Sequence, residues 1–400
     1  MRHLADRRIL LGVTGGIACY KAIHLARLLA QAGAAVDVVM TRSALEFIGA
    51  VTFEGVTGRP VFTELVAAGH ALDHIRLARA ADAIVVAPAT ADFCARAAHG
   101  FADSLLSACL LAAEAPVLIA PAMNDRMWAH PQTTANVARL REIGYAVLDP
   151  AEGALAVGEG SGPGRLREPE EILAHIGRLI APASPLSGRR VLVTAGPTRE
   201  AVDPVRYLSN RSSGHMGIAL AAEAWRRGAD VTLVAGPTTC PICVGPTLVR
   251  IETAADMHAA VDAALPDANV LLMAAAPADF RPAAAATQKI KKADGLRDIA
   301  LTQTADILGS TRDRRKPGAV VVGFALETTN LEANARKKLE EKGLDLVVLN
   351  DATEPGAGFS VPTNRVTIVR RDSTEPLALM SKEEVASEIM DRVEATLRGR

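Results

Sequence analysis

Twice along this chain a short apolar run breaks at a glycine-bearing turn and gives way to an alanine-rich helical pattern. In the first instance residues 9–13 end at Thr14-Gly15-Gly16, and the helical pattern covers 17–31. In the second, residues 190–194 end at Gly196-Pro197-Thr198, and a helix is expected over 217–227. Strand, glycine turn, helix is the opening of a βαβ unit. Further apolar runs extend each series, at 36–40, 83–87, 117–120 and 146–148 in the first half, and at 231–235, 270–274, 319–324 and 346–349 in the second. Runs so short and so apolar fit parallel strands covered on both faces, although any one of them alone would also fit a buried helix segment. Each half therefore reads as an open α/β sheet.

Between the two series lies APASPLSG, residues 181–188, with two prolines, two serines and no amphipathic period. It separates an expected first domain, 1–180, from a second, 188–400, with 181–187 as linker. A chain of 400 residues has room for two such domains. The second is expected to contain an amphipathic helix over 332–342, an antiparallel piece at 366–371 and 377–379, and a last helix over 382–398. Because 49% of residues are hydrophobic but only 3% aromatic, the cores must be built from Ala, Val, Leu and Ile.

The 44 basic and 45 acidic residues give a net charge of -1, which provides no broad attraction for nucleic acid or an anionic membrane. The five cysteines are too few and too irregular for a secreted disulfide framework. Cys240 and Cys243 form a CPIC run, but no second Cys or His pair at metal spacing follows it. The apolar stretch after the basic start breaks at glycines, too soon for a signal peptide or membrane span. A cytoplasmic setting is the default expectation.

Ligands of open α/β sheets sit at the C-terminal strand ends, near the point where strand order reverses. In the first half, Gly15 and Gly16 let backbone amides approach an anion at the start of a helix. That loop lacks both the GxGxxG spacing and the lysine-serine ending of a P-loop, so phosphate is the expected guest on a weak signal, with a plain structural turn as the alternative. Thr41 and Ser43, residues 88–92 and residues 121–124 put further polar groups after other strands. Their convergence favours a phosphate-bearing cofactor.

GVTGGIACYK, APATADFCARAAHGFADSLL and APAMNDRMW occur in that order, and they resemble the homo-oligomeric flavin-containing cysteine decarboxylases. The likeness over about residues 7–180 is specifically to phosphopantothenoylcysteine decarboxylases. It implies a flavodoxin-like domain holding FMN through Gly15, Gly16, Thr41, Ser43, Thr90, Ser104 and Leu105, with Met123 near the ring. His74 corresponds to the family's active-site histidine, though its spacing alone fits a surface helix position. Asn124 corresponds to a group that grips the substrate carboxylate, and Met127 and Arg165 to substrate contacts. His70 and His130 read as solvated or capping residues. The implied chemistry oxidises the cysteine end of the substrate, releases carbon dioxide and returns the hydride, with no net redox change. One departure stands out: the flap has Val157 where the family places a cysteine, so Glu159, Ser161 or a water would have to donate the proton.

In the second half, the Thr194–Glu200 run, Arg206, Asn210 and the Ser212-Ser213-Gly214-His215-Met216-Gly217 stretch form another anion-binding end. With AAAPADFRP at 274–282, QKIKK at 288–292, VGFALETTN at 322–330 and the Asn350 to Asn364 pattern, they resemble phosphopantothenoylcysteine synthetase over 188–395. This implies a Rossmann-like, CTP-dependent ligase that joins 4'-phosphopantothenate to cysteine through an acyl cytidylate. Asn210 would stabilise the acyl cytidylate, with Arg206, Ala275 and Ala276 on the acyl substrate. Gly196, Asp279, Lys289, Thr304, Ala305, Asp306, Ile307, Phe324, Lys338 and Lys342 would hold CTP. Mg²⁺ is expected chiefly on phosphate oxygens, with Asp279 assisting, and Lys337 is expected to be solvated.

Together the halves imply a two-step route to 4'-phosphopantetheine in a homo-oligomer, with trimeric decarboxylase and dimeric ligase contacts and an assembly of up to a dodecamer. The alternative is a ligase alone, its flavin domain impaired by Val157 and kept for assembly. A nucleotide-responsive interaction protein without turnover is a third reading, and it leaves Asn210 and Lys289 unexplained.

Overall fold

The apolar runs of the first half form β1 (Arg8–Val13), β2 (Ala35–Met40), β3 (Val61–Phe62), β4 (Ala83–Ala89), β5 (Val117–Pro121) and β6 (Ala146–Val147). The computed structural model describes residues 2–66, 71–155, 158, 160–291, 298–351, 354, 358 and 361–400. These divide into two units, Met1–Ala181 and Pro182–Arg400. His70, Val157, Glu159, Lys292, Phe359 and Ser360 lie outside the described residues.

The six strands pair in parallel in the order β3-β2-β1-β4-β5-β6. Setting aside the two-residue β3, the order in chain terms is 2-1-3-4-5, the flavodoxin-like arrangement with its switch point between β1 and β4. Both faces of β1 are buried: Ile9, Leu11 and Val13 join Leu25, Leu29 and Val36 in one core, and Leu10 joins Val39, Ile84 and Ile119 in the other. This two-sided burial explains the unbroken apolar run. Gly12 admits helix Leu105–Leu111, since a Cβ there would meet Leu106 Cδ1 at 2.4 Å. β7 (Ala151–Ala154) and β8 (Ser161–Arg165) form a separate antiparallel pair.

The second unit contains β9 (Arg190–Ala195), β10 (Arg199–Ala201), β11 (Tyr207–Ser209), β12 (Asp230–Ala235), β13 (Thr247–Arg250), β14 (Val270–Met273), β15 (Phe280–Pro282), β16 (Leu301–Gln303), β17 (Val320–Glu327), β18 (Leu346–Asp351), β19 (Thr363–Asn364), β20 (Val366–Val369), β21 (Thr374–Pro376) and β22 (Met380–Ser381). Its main sheet has the order β13-β12-β9-β14-β17-β18-β20-β21. The first six strands are parallel in the Rossmann order 3-2-1-4-5-6, and β20 and β21 extend them antiparallel. β10–β11, β15–β16 and β19–β22 form small separate pairs.

Three expectations need correction. Helix His215–Arg226 begins two residues before the expected Gly217, with Gly214 left-handed at φ 81° ahead of it. Gly217 lies inside the helix, where a Cβ would stand 2.6 Å from the Thr194 carbonyl oxygen, so the close approach to β9 requires glycine. The last strand of the sheet is β21 rather than 377–379: it is Pro376, Glu375 and Thr374 that pair with β20. Within the expected linker, Leu186 is fully buried and Ser184 Oγ donates to Glu394 at 2.7 Å, so these residues pack as part of the second unit. Among the described residues, no helix is long and apolar enough to cross a membrane.

Candidate functional sites

Four strand ends of the first unit meet at one edge. Thr14, after β1, donates its hydroxyl to the Pro88 carbonyl at 2.8 Å and accepts from Thr90 N at 3.0 Å, joining the β1 and β4 loops at the switch point. The Thr41 amide donates to Val13 O at 3.0 Å, and the Thr41 and Ser43 hydroxyls lie 3.1 Å apart. Ala122 N donates to Ala89 O at 3.0 Å, bringing the loop of Met123 and Asn124 beside that of Thr90. A Cβ on Gly15 would meet Ser43 Cβ at 2.5 Å, whereas one on Gly16 would meet only Thr90 Cγ2, at 4.0 Å. Gly15 thus permits a close approach of two turns, while Gly16 leaves open space.

Gly16 stands just ahead of helix Cys19–Gln31, where Ala18 supplies no side-chain cap. Thr41, Thr90 and Ser104, by contrast, each cap their own helix. An uncapped helix start behind an open glycine suits an anion, so these residues fit the phosphate of a flavin nucleotide. The Leu105 side chain is buried in the core, and what it can offer a ligand is its backbone.

The β7–β8 pair packs on the Met123–Asp125 segment: Met123 N donates to Gly164 O at 3.0 Å, and a Cβ on Gly164 would fall 2.2 Å from Met123 O. Asn124 caps helix Asp125–Ala129 through Oδ1, which accepts from Arg126 N at 2.9 Å. Met127 is exposed, and Arg165 lies 3.6 Å from Glu168. His130 caps the following helix, as expected for a capping residue. His74, on helix Asp73–Ala80, faces a different hollow with Leu65, Val66, Ala108 and Leu111, and its Nδ1 is buried with no hydrogen-bond partner among the described residues. No residue expected to hold FMN lines that hollow. Burial pushes the Cys94 and Cys109 thiols up to about 12, as suits inert core thiols.

In the second unit, a cleft of about 670 Å³ opens at the C-terminal ends of the strands. Asn210, Ala275, Ala276 and Asp279 line it, as do Thr304, Ala305, Asp306 and Ile307. Phe324, Lys338 and Lys342 complete the expected set found there, and Gly196, Arg206 and Lys289 are not among its lining residues. Asn210 Nδ2 donates to the carbonyls of Ala276 at 3.1 Å and Pro277 at 3.0 Å, so its amide ties one wall to the turn opposite. Thr194 Oγ1, on β9, accepts from Ala275 N, and Thr198 Oγ1, in the turn after it, from Ala278 N, fixing the same segment.

Lys338 and Lys342 are each held by a neighbour at the cleft wall. Lys338 Nζ donates to Phe324 O at 2.7 Å; burial lowers its pKa, while Glu327, Asp306 and Asp279 oppose that shift. Lys342 contacts Asp306. Burial alone would raise the Asp306 carboxyl, but Lys342 and the Gly309 N–H hold it below its ordinary range. Lys337 stands exposed beside Glu341, as expected. Arg206 is engaged elsewhere: its Nε donates to Asp203 at 2.9 Å and its Nη2 to the Ile290 carbonyl at 2.8 Å. Among the described residues, no cluster of three or more His, Cys, Asp or Glu could hold a metal ion. The reading of the sequence missed Lys382, which lines the cleft and was noted only as a helix start. A lysine in a first helical turn, where acids are favoured, was the available signal.

Comparison with known proteins accounts for both halves. A family model described as "Flavoprotein" matches residues 1–181, and one described as "DNA/pantothenate metabolism flavoprotein C-terminal domain" matches 186–397. The coenzyme A biosynthesis bifunctional protein CoaBC of Vibrio vulnificus (strain YJ016) is 43% identical over 403 residues, covering 100% of both chains. That of Mycolicibacterium smegmatis is 47% identical over 411 residues, covering 99% of each. The chain belongs to the CoaBC family. It is accordingly a bifunctional enzyme of coenzyme A biosynthesis, with a flavoprotein decarboxylase domain followed by a ligase domain, and the ligase-only alternative is not favoured. The crystal structure of a CoaBC C-terminal domain is also similar, at 39% identity with TM-score 0.47, covering 55% of this chain and 100% of that one.

Proposed function

We propose that the second unit uses CTP and Mg²⁺ to join 4'-phosphopantothenate to cysteine through an acyl cytidylate, and that the first unit, with FMN, decarboxylates the product to 4'-phosphopantetheine. The observation that carries the ligase reading is the single cleft that gathers Asn210, Asp279, Lys338 and Lys342. Lys338 and Lys342 supply charge for the nucleotide phosphates, and their nearby carboxylates leave Mg²⁺ to bind chiefly through phosphate oxygens. Asn210 holds the Ala275–Pro277 turn against the reacting carboxylate, and one Nδ2–H can redirect its hydrogen bond from a backbone carbonyl to the developing oxyanion. Lys289 closes on the triphosphate from the loop that Arg206 anchors.

In the first unit, FMN would supply a reversible hydride acceptor when bound. Gly15, Gly16 and the uncapped start of Cys19–Gln31 hold its phosphate, Thr41, Ser43, Thr90 and Ser104 add hydroxyls, and Leu105 a backbone amide. Met123 would lie by its ring, and Asn124, Met127 and Arg165 would orient the substrate. His74 lines a separate hollow within one protomer, so it would hold or move a proton at the flavin site of a neighbouring subunit. The exposed apolar residues Ile17, Leu72 and Phe101 support subunit contacts around this site, in a cytoplasmic homo-oligomer with trimeric flavin and dimeric ligase contacts.

A mass-resolved time course with 4'-phosphopantothenate, cysteine, CTP and Mg²⁺ tests both steps. Accumulation of 4'-phosphopantetheine supports the whole scheme. Accumulation of phosphopantothenoylcysteine would leave only the ligase standing, and absence of any amide product would overturn the reading.

A further inference from the structure

Among the described lysines that line the cleft, Lys382 is the one this scheme leaves unused. It opens helix Lys382–Arg398 just after the Ser381 cap, is 3% exposed, and donates from Nζ to the Gly358 carbonyl at 2.9 Å. Burial lowers the pKa of its ammonium, against the pull of Cys240 and Glu383. The positive end of its own helix disfavours the charge as well. An anion in the cleft would relieve both effects.

Other groups at the same place suit an anion with polar neighbours. Helix His215–Arg226 also begins here, with Gly214 as a cap lacking a side chain. His215 Nε2 lies 2.8 Å from Glu383 Oε1, so the two helix starts are joined. Asn364 is 2% exposed and lines the cleft, and its Oδ1 is buried without a hydrogen-bond partner among the described residues. Asn350 Oδ1, also at the cleft wall, is in the same condition. Buried acceptors left unpaired are costly, and a ligand bearing N–H or O–H groups would satisfy them.

We propose that Lys382, with the joined helix starts and the carboxamides of Asn350 and Asn364, forms a subsite for the phosphate monoester of the acyl substrate. The ammonium and the helix amides take the phosphate, and the carboxamides take the hydroxyl and amide groups beside it. The nucleotide's phosphates are the other source of the same chemistry. Lys338 and Lys342, however, stand near Asp306, with Asp279 and Glu327 also near Lys338, whereas Lys382 stands near Cys240 and Glu383 and donates to Gly358. This inference rests on the ligase reading.

The test compares full-length wild type with Lys382→Met, measuring amide formation with CTP, cysteine and either 4'-phosphopantothenate or unphosphorylated pantothenate. Wild type should prefer the phosphorylated substrate in kcat/KM, and Lys382→Met should lose roughly tenfold or more of that preference, with KM for CTP nearly unchanged. Lys382→Arg should restore most of it. An unchanged preference overturns the proposal, and so does a raised KM for CTP with the preference intact, which would give Lys382 to the nucleotide. Should Lys382→Met not fold, the preference ratio of Lys382→Arg and the acyl-substrate KM of Asn364→Ala, expected to rise, carry the decision; no change in either overturns the proposal. Failure of wild type to form any amide sinks the ligase reading itself.

Discussion

Asp203 accepts hydrogen bonds from both Nε and Nη2 of Arg206, and that same Nη2 donates to the carbonyl of Ile290. The carboxylate also accepts from Ile290 N at 3.2 Å, and its side chain is closed to solvent. The pair therefore latches the segment before β11 to the loop bearing Lys289, one residue from the lysine itself. This gives Arg206 a structural task beside its expected contact with substrate.

The latch should be insensitive to pH over the working range. Arg206, and then the N–H groups of Val205, Arg206 and Ile290, hold the Asp203 carboxyl well below its ordinary range, against burial. A depressed carboxyl contributes stability that is complete above its unfolded pKa, about 4, and is lost only as pH falls through the folded value. Asp203→Asn removes the charge at every pH, so hydrogen exchange at the Ile290 amide should quicken by roughly tenfold at neutral pH. The contrast between variant and wild type should shrink only below about pH 4. Equal exchange in the two proteins at pH 7 would show that the latch does not hold the loop.

Gly15 and Gly16 should fail in different ways. A methyl group on Gly15 meets Ser43 side-chain and backbone atoms within 2.7 Å, so Gly15→Ala must displace the Thr41–Ser43 turn and lower the stability of the first unit. A methyl group on Gly16 meets nothing nearer than 4.0 Å, so Gly16→Ala should fold normally but crowd the bound phosphate. Flavin absorbance and thermal melting of the purified proteins separate these effects. Gly16→Ala with full flavin content would remove the phosphate from that space.

Lys342→Met should raise the KM for CTP roughly tenfold, with a much smaller change in kcat, because it removes a charge-assisted contact to phosphate. It also strips Asp306 of its counter-charge, and the Asp306 carboxyl should move up towards its ordinary range. Steady-state kinetics at varied CTP decides the matter: an unchanged KM would confine Lys342 to holding Asp306.

How far the sequence could be read follows from where each signal lies. β1 and β9 were visible because sheets buried on both faces require apolar residues throughout, and the glycines after them mark the strand ends. The β7–β8 pair, built from AEGA and SGPGR, was not visible, since glycine and proline mask any alternation and its geometry depends on packing against Met123 and Asp125. In the cleft, Asn210 and Asp279 stood out within uncommon motifs. The Asp203–Arg206 pair is only three residues apart, but its tie to Ile290 was hidden because that contact joins positions 84 residues apart. Lys382 looked like an ordinary helix residue until burial showed otherwise.

Arg227 offers the sharpest test of how the second unit supports its cleft. Its guanidinium donates to Glu223 at 2.7 Å, Asp391 at 2.6 Å and Glu394 at 3.1 Å, and to the Ser387 carbonyl at 3.0 Å. It thereby ties the helix ending at Arg226 to Lys382–Arg398, the two helices whose starts meet through His215 and Glu383. Arg227→Met would leave Glu223 and Glu394, nearly buried, short of counter-charge, and should destabilise the unit by about 3 kcal/mol. Burial alone would raise the Glu223 carboxyl, but Arg226 and Arg227 bring it below its ordinary range. Its contribution is therefore complete above about pH 4 and disappears as pH falls through the folded value. Thermal melts at stepped pH should show a deficit in Arg227→Met that is full at neutral pH and narrows on acidification. A deficit of the same size at every pH would mean that Arg227 acts through packing of its alkyl stem, with its charges contributing nothing net.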